Sequence, residues 1–324
     1  MCESWENVAN LLRRGYGGQD VKMLPMSIPI VNERKTAMKK MMMAAGFAAM
    51  LCGCATRFAD GGYSTEAELP RLDALMFDSD GSTIYGQVLV PSSQFGEKRP
   101  CAILCHGFAG FTRWDDVAHD LCRAGIIMVI PHHRGAWGSE GEYTISGCIR
   151  DAENLANWAM GADFAAKYGA DTNAVYLIGH SMGGNSVVNA AAVVPGVKGV
   201  ALIAPCDVGY MASAMTKDQM LAFLRGEGLA VLRHASDEAV VDDIYGHADA
   251  MRFANAAKSL NGKKVFLATG AYEKVVPNEP LDEFWAALPE GAGRHERKTY
   301  RCDHSMMGCR CELVAALADF ILEK

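Results

Sequence analysis

From about Leu72 onward, short apolar runs alternate with longer stretches of mixed polarity. Cys101–Cys105 and Ala174–Ile178 are uninterrupted apolar blocks, and Ile126–Ile130, Val197–Ile203 and Lys264–Thr269 come close to it. Such runs predict strands covered on both faces, because a half-exposed strand would alternate apolar with polar. Ala74–Asp78 and Thr83–Val90 predict a pair of strands around the turn Ser79-Asp80-Gly81-Ser82, and Glu296–Tyr300 a last strand. Between them, Asp115–Ala124, Ile145–Tyr168, Glu279–Leu288 and Cys311–Leu322 have helical spacing. Strands alternating with helices predict an α/β fold whose central sheet is mostly parallel and flanked by helices.

The alternation lapses between Ala204 and Ala257. That stretch is helical in pattern and rich in methionine, with Met211, Met215, Met220, Leu221, Phe223, Leu224, Leu229 and Val231. It predicts a small helical insertion, over about residues 205–257, whose unbranched thioethers suit an adaptable apolar wall.

Upstream of the domain the pattern is different. Met38, Lys39 and Lys40 precede an apolar stretch from Met41 to Leu51, then Leu51-Cys52-Gly53-Cys54. A basic start, a short apolar core and a small residue before the cut read as an export signal over 38–54. The core is too short to span a bilayer as a stable helix. The last four residues resemble a bacterial lipobox, which implies a lipid on Cys54 and a tether over 55–71. The expected location is the cell envelope, lipid-anchored on the periplasmic face of the outer membrane. Residues 1–37 match neither a domain nor a signal, so translation is expected to start at Met38; a mature N-terminus mapped ahead of Met38 contradicts that.

Charge narrows the partners. Residues 55–324 carry 24 basic against 34 acidic side chains, a surplus of acid that disfavours nucleic acid. The 11 cysteines include no Cys-x-x-Cys pair. Cys302, Cys309 and Cys311 cluster around His304, but a zinc site is not expected there. A disulfide from Cys302 to either of the other two is open, since connectivity is not legible in spacing. Cys101, Cys105, Cys122, Cys148 and Cys206 read as small buried hydrophobes.

The strongest chemical signal is Gly179-His180-Ser181-Met182-Gly183-Gly184, set between the apolar run ending at Ile178 and a helical run through Ala192. A Gly-x-Ser-x-Gly string in a strand–turn–helix context holds the serine hydroxyl clear of the sheet on a sharp turn. Ser181 is therefore the candidate nucleophile.

With His106-Gly107-Phe108 at the end of the Cys101–Cys105 run and Arg134-Gly135-Ala136-Trp137-Gly138-Ser139 further on, the chain from Leu72 to its end resembles the α/β-hydrolases. It is most similar to the serine esterases of the cinnamoyl and feruloyl esterase and dienelactone-hydrolase-like group, although His132-His133 stands where relatives often have Asp-Tyr. The resemblance implies the chain order serine, acid, histidine. It places the base at His304 and the acid at Glu273, in Gly270-Ala271-Tyr272-Glu273-Lys274-Val275-Val276-Pro277, where relatives have aspartate. Asp303 and Asp282 are weaker candidates for the acid. The oxyanion donors would be the amides of Phe108 and Met182, with Gly107 allowing close approach and Trp137 near the substrate by adjacency. The implied activity is cleavage of a small-molecule or oligosaccharide-linked carboxylic ester through an acyl-enzyme, without cofactor or metal. The insertion takes the place of the group's lid. A prolyl-oligopeptidase-like peptidase and a non-catalytic binding protein on the same fold are the alternatives.

Overall fold

A computed structural model of the chain describes residues 63–289 and 293–323. The proposed signal, Cys54 and residues 55–62 of the tether lie outside the described residues. No helix among the described residues is long and apolar enough to cross a membrane.

The first two strands, β1 (Arg71–Ser79) and β2 (Ser82–Val90), form the antiparallel pair expected around Asp80-Gly81. Then follow β3 (Arg99–Cys105), α1 (Asp115–Arg123), β4 (Ile127–Pro131), α2 (Ile145–Ala159), α3 (Ala162–Tyr168) and β5 (Ala170–His180). The second half runs α4 (Met182–Val193), β6 (Gly199–Ile203), the insertion helices α5 (Val208–Ala214), α6 (Lys217–Gly226), α7 (Asp237–Gly246) and α8 (Phe253–Ala257), then β7 (Lys264–Gly270), α9 (Glu279–Ala286), β8 (His295–Tyr300) and α10 (Arg310–Leu322). The strands make one eight-stranded sheet in the order β1-β2-β4-β3-β5-β6-β7-β8. β2 pairs antiparallel with β4, and every pairing from β4 through β8 is parallel.

The apolar runs supply both faces of this sheet, because successive side chains on a strand point opposite ways. Cys101, Ile103, Val175, Leu177, Val200, Leu202, Val265 and Leu267 face the core shared with α2, α3, α4 and α9. Ala102, Leu104, Tyr176, Ile178, Ala201, Ile203, Phe266 and Ala268 face the one beneath α1 and α10. A third cluster joins Met211, Met220, Leu224, Leu229 and Ile244 of the insertion to Met182 and Tyr143 of the body.

Ile145–Tyr168, expected as one helix, is two. The break falls at Gly161, whose extended backbone (φ −76°, ψ 154°) starts α3 afresh. Glycine is a poor residue inside a helix. The bend also turns Phe164 and Tyr168 onto Trp158, with ring centroids 4.6 and 6.4 Å from the indole. Elsewhere the expected elements are found with ends shifted by a few residues, the largest shift being the start of β5 at Ala170 rather than Ala174.

Candidate active site

Ser181 sits at the junction of β5 and α4 with φ 53° and ψ −121°, a conformation that side-chain-bearing residues seldom adopt. Hydrogen bonds hold it from both sides. Its N–H donates to the Ile203 carbonyl (3.0 Å), and its carbonyl accepts from Gly184 and Cys206 (2.9 Å each). The two flanking glycines are required by space. A Cβ on Gly179 would lie 2.2 Å from the Gly183 carbonyl oxygen, and one on Gly183 would lie 2.2 Å from that of Cys105. The motif therefore lets the serine turn stand close against β3.

His304 lies in the loop between β8 and α10. Its Nδ1 donates to Glu273 Oε2 at 2.7 Å, and the Glu273 side chain is only 2% exposed. The other carboxylate oxygen, Oε1, accepts from the amides of Val275 (2.7 Å) and Val276 (3.2 Å). Burial alone would raise the Glu273 pKa. The His304 hydrogen bond and the two amides outweigh it and hold the carboxyl below its ordinary range. With Nδ1 engaged, Nε2 is the ring nitrogen left to take up a proton. Ser181 and His304 line one cavity. Among the described residues the Ser181 hydroxyl has no hydrogen-bond partner.

The loop after β3 completes this wall. Gly107, Phe108 and Met182 line the cavity beside Ser181, and a Cβ on Gly107 would come within 3.0 Å of the Ser181 Cβ. His106, fully buried beneath the loop, fixes the orientation of the Gly107–Phe108 peptide. Its Nε2 accepts from the His133 N–H (3.3 Å), so the proton resides on Nδ1, which donates to the Gly107 carbonyl (2.8 Å). Because a trans peptide points its C=O and N–H in opposite directions, pinning the Gly107 carbonyl also sets the direction of the Phe108 N–H. His133 in turn donates from Nε2 to the His106 carbonyl (3.0 Å).

The cavity holds about 500 Å³. Its apolar side comes largely from the insertion, through Val208, Met211, Met220, Phe223 and Leu224, with Ile145 from the body. Glu227, Lys274 and Asp303 bring charge to the wall. Of the other insertion residues singled out in the sequence, Met215 and Leu221 pack against the same cluster, Leu229 is buried within it, and Val231 is 48% exposed.

Trp137, expected at the substrate, is not part of this lining. Its indole donates to the Ala109 carbonyl (2.7 Å) and packs 5.9 Å from the Phe111 ring, so it braces the loop after β3 from outside. Asp303 is turned to its own loop, accepting from the Ser305 amide and hydroxyl, and Asp282 is bonded to Arg297. Neither pairs with His304. Among the described residues there is no cluster of side chains that could hold a metal ion.

Sequence reasoning read His180 only as packing. The structure gives it a more specific place: its Nε2 donates to the His304 carbonyl at 3.0 Å, and its ring packs at a tilt on Trp114 (4.5 Å), over which Arg310 lies at 3.6 Å. Burial, then the neighbouring His304, depresses the His180 pKa to about 3, so it is neutral. The only signal in the sequence was its position beside Ser181.

The fold has counterparts in solved structures. Est1E from Butyrivibrio proteoclasticus, determined with ferulic acid bound, matches 78% of this chain and 98% of its own with 20% identity and a TM-score of 0.55. A brefeldin A esterase, described as a bacterial homologue of human hormone sensitive lipase, matches 88% of this chain and 85% of its own (18% identity, TM-score 0.58). The chain is an α/β-hydrolase by fold. An esterase of Pyrococcus furiosus also superimposes, over 78% of this chain and 91% of its own, at 14% identity and a TM-score of 0.57. Residues 96–226 of the chain match a family model described as serine aminopeptidase, S33. That span runs from the start of β3 through α6 and includes Ser181, while Glu273 and His304 lie beyond it.

Proposed function

We propose that the protein is a serine esterase in which Ser181, His304 and Glu273 act together on carboxylic esters. The observation that carries the reading is the 2.7 Å bond from His304 Nδ1 to a nearly fully buried carboxylate, with the imidazole on the same cavity as a serine held at φ 53°. Ser181 Oγ attacks the ester carbonyl while His304 Nε2 takes its proton. Glu273 keeps the imidazole in the tautomer with Nε2 bare and stabilises the imidazolium that forms. The amides of Phe108 and Met182 bind the oxyanion. His304 then gives its proton to the departing alcohol, leaving an acyl group on Ser181, and in the second half activates the water that releases it.

The acyl side of the substrate is proposed to be apolar, aliphatic or aryl, because the methionine- and phenylalanine-lined wall offers it few hydrogen-bond partners. An ester of a hydroxycinnamate on an oligosaccharide fits this description, as the ferulic acid in Est1E suggests. The description of the matched family favours a second reading, an aminopeptidase. An α-ammonium group would need a carboxylate at the cavity, and Glu227 and Asp303 are there, although Lys274 opposes them. Attachment to the cell envelope through Cys54 remains a proposal from the sequence, tested by the mapping of the mature N-terminus.

Ser181→Ala should fold normally, lose labelling by a fluorophosphonate, and turn over p-nitrophenyl butyrate at least about 1,000-fold more slowly. Retained turnover refutes the assignment. Hydrolysis of aminoacyl p-nitroanilides in preference to the esters selects the peptidase reading.

A further inference from the structure

The loop that carries His304 hangs from an edge of the sheet. Its first anchor, β8, pairs among the described residues only with β7, and its second is the start of α10. Cys302 lies two residues past the end of β8, and Cys309 immediately precedes α10. Both side chains are buried, and their sulfurs stand 3.0 Å apart. The Met306 thioether packs on the pair, 3.1 Å from Cys302 Sγ and 3.8 Å from Cys309 Sγ. Cys311, the other cysteine nearby, is exposed on the first turn of α10. A disulfide bond is about 2.05 Å long, so the two sulfurs need to close by only about 1 Å.

We propose that Cys302 and Cys309 form a disulfide that closes an eight-residue ring around His304. Two S–H bonds break and one S–S bond forms. The two electrons and two protons pass to a disulfide oxidant, such as oxidised glutathione or an oxidoreductase disulfide, which is reduced to two thiols. The bond ties the end of β8 directly to the start of α10, so the loop between them loses the freedom that an edge strand alone allows it. That this clip steadies the catalytic base rests on the esterase reading; that the bond forms does not. Burial, then the hydrogen bond to Cys302, pushes the Cys309 thiol up to about 12. The folded dithiol therefore reacts slowly, and the bond closes as the chain folds or when the loop opens.

The sequence provides a clean readout, because trypsin cuts after Arg301 and Arg310 and releases both cysteines in one peptide, Cys302–Arg310. The purified full chain is refolded with oxidised glutathione, then unfolded in iodoacetamide and digested without reduction. The expected product is this peptide two hydrogens lighter than its dithiol form and free of alkylation. Recovery with both cysteines alkylated, with glutathione attached, or joined to the peptide beginning at Cys311 overturns the proposal. Thermal unfolding is the second measurement. Reduction should lower the Tm of the wild type by about 5 °C, from the loop entropy of a ring this size in a domain this large. The Cys302→Ser/Cys309→Ser variant should not respond. A wild-type Tm indifferent to reduction also overturns the proposal. Neither readout uses turnover, so the result stands apart from that of Ser181→Ala.

Discussion

Replacing Glu273 by glutamine tests the proposed role of the acid, orienting His304 and stabilising its imidazolium, at the point where the structure constrains it most. In the native protein Oε1 accepts two backbone N–H groups, and Oε2 accepts the His304 Nδ1–H at 2.7 Å. Glutamine has one oxygen and one NH2 group. If the oxygen turns to His304, the NH2 confronts the amides of Val275 and Val276, donor against donor, in a place with almost no solvent. Each unpaired amide then costs about 1–3 kcal/mol. The carboxamide therefore keeps its oxygen on the amides and presents NH2 to Nδ1. To accept it, His304 must move its proton to Nε2, the tautomer that cannot take a proton from Ser181. The imidazolium of the transition state also loses its negative partner. The two losses together predict a fall in kcat of about 1,000- to 10,000-fold, or about 4–5.5 kcal/mol of barrier. KM should move little, because Glu273 lies behind His304 and outside the cavity lining. The assay is p-nitrophenyl butyrate turnover, with Asp303→Asn as the comparison. Among the described residues Asp303 bonds only within its own loop and is exposed, so that change should cost no more than about twofold. A Glu273→Gln enzyme within tenfold of wild type refutes the reasoning, and so does a larger loss in Asp303→Asn.

Two further outcomes follow from the geometry. His106, His133 and His180 are buried and neutral, their pKa values lowered first by desolvation. The unfolded chain thus binds more protons than the folded one below about pH 6.5, and each histidine withdraws up to about 1.4 kcal/mol of stability per pH unit as pH falls. The urea midpoint should be level above about pH 7 and drop steeply between pH 6 and 4.5; a flat profile counts against all three being held neutral. Phe223→Ala, which opens the partly buried lid side of the cavity, should weaken kcat/KM for p-nitrophenyl hexanoate by about 5- to 30-fold while sparing the acetate, and equal effects on both would show that the acyl chain lies elsewhere.

How much of this was legible in the sequence depends on the range over which each feature is decided. The serine turn is local: strand, Gly-x-Ser-x-Gly and helix lie within 20 residues, and Gly179 answers a clash with Gly183 in the same turn, although Gly183 answers one with Cys105 on the neighbouring β3. The meeting of His304 with Glu273 was anticipated from the order and motifs of the family that the chain resembles, even with glutamate in place of aspartate, and the amides that hold Glu273 belong to Val275 and Val276 just after it. Trp137 was placed by adjacency to a motif, and adjacency says nothing about which way an indole points. The break at Gly161 and the bond from His180 to the His304 carbonyl depend on contacts that helical spacing does not encode. The latter joins residues 124 positions apart. The disulfide partner of Cys302 was open for the same reason; the short turn over Met307–Cys309 brings Cys309 rather than Cys311 inward, which is what singles out Cys309 in the proposal above.

A parallel sheet sends the ends of β3, β5, β6, β7 and β8 to one side, which is why Gly107, Ser181, Cys206, Glu273 and His304 can share a site although 197 positions separate the first from the last. Sheet order alone does not bring His304 to Ser181. β8 is three strands from β5, about 14 Å at ordinary strand spacing, beyond the reach of an imidazole. The loop must lean back over β7, and the end of β7 is shaped for that crossing. A Cβ on Gly270 would fall 2.6 Å from the Cys302 carbonyl oxygen and 2.8 Å from that of Asp303, so only glycine leaves room. Ala271 and Tyr272 then donate to the carbonyls of Tyr300 and Cys302, tying the crossing chain to β7 at 2.7 and 3.0 Å. His180 holds its far end by the His304 carbonyl. The proposed base is thus located by backbone contacts on each side of it, while its side chain stays free for Glu273 behind and a substrate in front. The Gly-x-x-Glu segment therefore does two jobs: its glycine admits the histidine loop, and its glutamate, three residues on, orients the ring that the loop delivers.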